Sequence, residues 1–81
     1  MRRLWDAYID ISVYPNPVRN YLFIRSEQPV DKVEVYSVVG DLLYTEHNFN
    51  EKINIQELPK GMYFVKIYIG KKSVVKHIIN L

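Results

Sequence analysis

Two histidines, His47 and His77, are the only side chains in this 81-residue chain suited to acid–base work at neutral pH. His47 follows Glu46 in a polar stretch, and His77 lies between Lys76 and Ile78. A metal centre needs three or four ligands at definite spacing. No third histidine, no cysteine and no carboxylate cluster joins these two, so they read as surface histidines. Ser12, Ser26, Ser37 and Ser73 lie outside any glycine-flanked nucleophile elbow. Gly40, Gly61 and Gly70 are too scattered to cradle a phosphate. The sequence thus offers no catalytic, metal or cofactor-binding residue, and implies no cofactor and no enzyme.

Two groups could serve binding instead. Lys66, Lys71, Lys72 and Lys76 gather near the C-terminus. They form either a cationic patch for an anionic partner or a guarded edge hairpin, and lysines on strand edges commonly deter aggregation. Tyr14, Tyr21, Tyr36 and Tyr68, with Phe23 and Phe64, alternate with aliphatic residues. Such a face is either a docking surface or a set of cross-strand pairs that stiffens a small sheet.

The elements that must position these groups have period two. Ile9, Ile11 and Val13 alternate with polar residues, then Tyr14-Pro15-Asn16-Pro17 intervenes. Two prolines fix two φ angles and remove two backbone donors, so this tetrapeptide is a stiff elbow that cannot sit inside a sheet. It is expected to carry the chain from one sheet to the other. Further strands follow at Tyr21–Arg25, Val33–Tyr36, Leu42–Thr45, Lys52–Gln56, Met62–Ile69 and Ser73–Ile79. Gly40 supplies the positive φ of a tight hairpin, Leu58–Gly61 is expected as a type I turn, and Gly70-Lys71-Lys72 reverses the chain. At most, 3–8 could form a helical turn or two. Val, Ile and Tyr abound while Ala7 is the lone alanine, a composition that favours strands.

About seven short strands with regular turn signals predict an all-β, immunoglobulin-like antiparallel β-sandwich. Its inward residues are expected to be Ile11, Val13, Leu22, Ile24, Val33, Val35, Leu42, Ile53, Ile55, Leu58, Tyr63, Val65, Ile67, Val75 and Ile79. The length allows one small domain, read as 9–81, with 1–8 as a start or the end of an upstream linker. The absence of cysteine excludes a disulfide framework. No apolar run reaches the length of a membrane helix, and none has the form of a signal peptide, so no membrane insertion is expected. Eleven basic and nine acidic residues are too balanced to suggest nucleic acid or a membrane surface as partner.

Four marks in order carry a resemblance. They are Ile11–Val18 with Tyr14-Pro15-Asn16-Pro17, followed by Tyr21–Ile24; Val33–Gly40; Ile53–Ile55 followed by Leu58-Pro59-Lys60-Gly61-Met62-Tyr63; and Lys72–Ile79. Together they resemble the type A C-terminal sorting domain of the type IX secretion system (Por secretion system) over about 9–81. In the family pattern Tyr14, Pro15, Asn16, Pro17, Gly40, Leu58, Gly61 and Tyr63 correspond to structural positions. The chain departs from it mildly: His77 and Ile78 follow Lys76 where many members are aliphatic, and Met1 to Tyr8 lacks the usual cargo and polar linker.

The resemblance implies a non-catalytic signal at the end of a larger exported protein of Bacteroidota-type Gram-negative bacteria. The implied partners are an upstream cargo domain, the type IX secretion machinery, an outer-membrane shuttle protein and a sortase-type peptidase that removes the domain. The implied location is the periplasm in transit, then the outer-membrane surface or extracellular space. The expected recognition residues are Gly70, Lys71, Lys72, Lys76, Ile78 and Leu81, on the last hairpin and strand. Exposed edge strands would also permit a homodimer. The alternative reading is an accessory module, a fibronectin-like spacer or a carbohydrate-binding sandwich with exposed tyrosines flooring a groove.

Overall fold

The computed structural model describes residues 11–47 and 52–81. The β-branched and aromatic runs form seven strands: β1 Ile11–Tyr14, β2 Tyr21–Ser26, β3 Lys32–Ser37, β4 Leu42–Glu46, β5 Lys52–Asn54, β6 Gly61–Ile69 and β7 Lys72–Asn80. Among the described residues there is no helix. The helical turn considered over 3–8, and Ile9, lie outside the described residues.

Two antiparallel sheets result, one ordered β1-β2-β5 and the other β4-β3-β6-β7. This is an immunoglobulin-like division of strands. Alternation along each strand sends one set of side chains between the sheets. Leu22, Val33, Val35, Ile53, Ile55, Val65, Ile67 and Ile78 are fully buried there, and Val13, Val30, Leu58 and Val74 pack against them. The reversals follow the glycines. Gly40, at φ +94°, closes the β3–β4 turn by donating to the Ser37 carbonyl at 3.0 Å. Gly70, at φ +59°, opens a two-residue turn with Lys71, the conformation such hairpins need.

Several expectations are corrected. The elbow does not carry the chain between sheets, because β1 and β2 are hydrogen-bonded neighbours in one sheet. It leaves that sheet, touches β7 of the other, and returns. The hydrogen-bonded turn before β6 spans Ile55–Leu58, with the Leu58 amide donating to the Ile55 carbonyl at 3.1 Å, rather than Leu58–Gly61. Leu42, Val75 and Ile79 are exposed, not inward. A register shift between Val35 and Tyr36 pairs Tyr36 with Leu42 and Val35 with Tyr44, which turns Leu42 outward. In β7 the phase is opposite to the expected one: Ile78 is 0% exposed and Ile79 39%. Val18, fully buried just after the elbow, and Ile69 complete the core.

Candidate recognition site

The last strand is the natural place to build from, because three of the four sequence marks converge on it. One side of β7 pairs with β6 along its whole length, from Lys72 opposite Ile69 to Asn80 opposite Gly61. On the other side the elbow closes half of the free edge. The Asn16 side chain donates through Nδ2 to the His77 carbonyl at 3.3 Å and accepts from the Ile79 amide through Oδ1 at 3.0 Å. The Val18 amide then donates to the Ile79 carbonyl at 2.7 Å, and the Leu81 amide to the Val18 carbonyl at 2.9 Å. Pro15 and Pro17, both after cis peptide bonds, leave Asn16 between them facing this edge.

The corner before β6 holds the same strand from within. Tyr63, near the start of β6, donates its hydroxyl to the Pro59 carbonyl. This is a tyrosine corner, as immunoglobulin-like sandwiches use at this point. Buried Asn80 donates its Nδ2 to the Leu58 carbonyl at 3.0 Å and the Pro59 carbonyl at 3.3 Å. Its Oδ1 finds no donor among the described residues. Tyr14 to Val18, Leu58 to Tyr63 and Ile78 to Leu81 thus meet at one end of the sandwich.

The expected recognition residues do not form one patch. Gly70, Lys71 and Lys72 lie at the opposite end from Leu81, since a nine-residue strand spans about 26 Å. Asp31 fixes that hairpin by accepting from the Gly70 amide. Ile11 pairs with Ser26 at this same end. The described fold therefore begins beside the lysine hairpin and finishes beside the elbow. Lys71, Lys72 and Leu81 are exposed and Lys76 is half-buried. Ile78 is wholly inside the core, so its side chain is a packing element and is not offered at the surface.

The tyrosines are engaged with their neighbours. Tyr14 stacks on Phe23 with centroids 5.7 Å apart and planes at 16°. The Lys52 ammonium sits 4.6 Å from the Tyr21 ring centre, and those of Lys32 and Lys66 lie 4.4 and 5.0 Å from that of Tyr68. On the outer face of the larger sheet, Glu34 is only 8% exposed. It accepts from the Tyr36 hydroxyl at 2.7 Å and the Tyr68 hydroxyl at 2.6 Å, with the Lys32 ammonium at 3.6 Å. The Tyr68 bond first, then Tyr36 and Lys32, holds the Glu34 carboxyl below its usual range despite burial. Donating those hydrogen bonds to Glu34, and burial, push Tyr36 up to about 12 and raise Tyr68. Tyr44 donates to Glu46, which raises its own pKa.

His47, just after β4, and His77, within β7, are exposed, and no metal-holding group exists among the described residues. Recesses lined by described residues include two shallow ones. One, of about 290 Å³, is lined by Ser12, Arg25, Ser26 and Glu27; the other, of about 170 Å³, lies by Leu43, Tyr44, Ile55 and Leu58. The first lies at the lower bound, and the second well below it, of the roughly 300–1,000 Å³ of ordinary small-molecule sites. No helix among the described residues is long and apolar enough to cross a membrane.

Sequence reasoning missed Val18, Asn80 and the link between the elbow and β7. The elbow and the strand it clasps are some 60 residues apart, and nothing local marks their contact. Comparison with known families finds that the family described as Secretion system C-terminal sorting domain matches residues 12–80. No curated protein matches the chain.

Proposed function

This chain belongs to the family of type IX secretion C-terminal sorting domains, and on that premise we propose that it is the folded, non-catalytic signal of a larger exported protein. The family match across nearly the whole chain is the observation that carries this reading. As a sorting domain it interacts with the type IX machinery and directs export toward the outer membrane or cell surface. In the fuller reading, an upstream cargo crosses the periplasm with this domain, and an outer-membrane shuttle protein receives the domain. A sortase-type peptidase then cuts ahead of it as the cargo joins the surface. The host would be a Bacteroidota-type bacterium, and the upstream part would join before 9–81.

The clasp at β7 supports reading the signal as a folded object. A strand held by Asn16, Val18 and Asn80 presents one fixed shape, so a partner meets a formed surface and not a tail that must first be ordered. The accessory sugar-binding alternative loses support because three tyrosine rings that could floor a groove are engaged with neighbours. Lysines cover Tyr21 and Tyr68, and Phe23 stacks on Tyr14. The test is export of a periplasmic reporter carrying the whole chain at its C-terminus in a type IX-competent host. The reading predicts surface or extracellular reporter. A reporter that stays periplasmic while the domain is folded overturns it.

A further inference from the structure

The free edge of β7 is closed on one half and open on the other. Within a strand, the amide and carbonyl of one residue point to the same side, and neighbours alternate. His77, Ile79 and Leu81 direct groups toward the elbow, so Ser73 and Val75 direct theirs the same way. The elbow ends at His77. The amides and carbonyls of Ser73 and Val75, with the His77 amide, therefore form a short ladder without a partner among the described residues.

The two free edges of this sheet are guarded differently. β4 carries the register shift around Leu43, which interrupts any added ladder. β7 has no such irregularity, and its guard is charge. Lys72 and Lys76 lie on one face of the strand, either side of Val74, and Lys71 adjoins them. Among the described residues no carboxylate pairs with them. The opposite face of the same edge shows Val75, which is 57% exposed and pairs with Lys66 of β6, between Ser73 and His77.

We infer that the open edge Ser73–His77 accepts an extended peptide strand from its partner, with carboxylates on the side facing Lys72 and Lys76 and apolar side chains on the side facing Val75. The inference rests on the sorting reading and adds the chemistry of the contact. Backbone bonding along an exposed edge supplies affinity, and the alternate side chains supply selectivity. Opposite charges across a strand pair attract and like charges repel. The lysines thus repel the same edge of a second copy while admitting an acidic strand. The site is finite because the elbow stops the added strand at His77.

The test titrates the full chain with a short synthetic peptide alternating Glu and Val, followed by amide chemical shifts. The expected result is saturable shifts at Ser73, Val75 and His77, lost when Lys replaces Glu in the peptide. Lys72→Glu with Lys76→Glu should weaken binding of the acidic peptide by about tenfold or more. Val75→Pro removes an outward amide without touching the β6 ladder, a position where edge strands accept proline, and should abolish binding. Shifts confined to another surface, equal binding of the basic peptide, or full binding by a folded Val75→Pro variant would overturn the inference. Should Val75→Pro unfold, undiminished acidic-peptide binding by the charge-reversed chain overturns it alone. In the export assay, a folded Val75→Pro fusion exported as well as the parent also overturns it, and leaves the sorting reading standing. A parent fusion that is not exported overturns that reading instead.

Discussion

Replacing Ile78 and Ile79 one at a time with alanine tests how β7 sits. Ile78 is fully buried opposite Tyr63, while Ile79, opposite Met62, is 39% exposed on the outer face. Ile→Ala removes about three carbons' worth of transfer energy, roughly 2.4 kcal/mol at ~0.8 per methylene. In a closed core the cavity term brings such changes to about 2–5 kcal/mol. A chain of this size has a total stability of about 4–12 kcal/mol at ~0.05–0.15 per residue. Ile78→Ala should therefore remove a large fraction of it, lowering Tm by about 8–40 °C at ~4–8 °C per kcal/mol. Ile79→Ala leaves no cavity and should cost about 1.5 kcal/mol or less at ~0.8 per methylene. The assay is thermal and urea unfolding followed by circular dichroism, with equal m-values required so that the difference reports stability. An Ile79→Ala variant as damaged as Ile78→Ala would refute the strand phase and the burial of Ile78.

Other consequences follow from the clasp and the outer face. Asn16→Ala strips two exposed bonds from β7 and should cost about 1–3 kcal/mol at ~0.5–1.5 per bond, with faster hydrogen exchange at the Ile79 amide. Unchanged exchange there would contradict the clasp. Asn80→Asp sets a carboxylate against the Leu58 and Pro59 carbonyls in a buried site, and should destabilise by about 3 kcal/mol or more in urea unfolding. Glu34 has its folded pKa depressed, so its stabilisation is present above its unfolded value of about 4.3 and disappears as pH falls through the folded value. Tm should therefore drop on acidification below about pH 4, and Tyr68→Phe should reduce that drop by removing the main cause of the shift. Equal acid sensitivity in parent and variant would contradict this assignment.

The strands were readable because Val, Ile and Tyr alternate with polar residues and glycine or proline punctuates every reversal. Where the phase failed, the reason is local. Val74-Val75 and Ile78-Ile79 are apolar in both registers, and neither Lys76 nor His77 decides between them. The choice is made by pairing with Tyr63 and by the cover that Val18 brings from the far end of the chain. Leu42 departs from the inward phase of its alternation because a single extra residue, Leu43, shifts the register of an edge strand. The elbow was recognisable as a rigid break from its prolines, but its task was not. Asn16 reaches across some 60 residues of sequence to close the edge of β7. The tight hairpin at Gly70, Lys71 and Lys72 is legible from its glycine, whereas its separation from Leu81 follows only from strand length and topology.

The most direct measurement is cell-surface display of a periplasmic reporter fused to the N-terminal side of the whole 81-residue chain, in a type IX-competent host and in an isogenic strain lacking the secretion channel. The sorting account predicts surface or extracellular reporter in the first strain and periplasmic retention in the second. Retention in both strains, with the domain folded and the reporter intact, would contradict it.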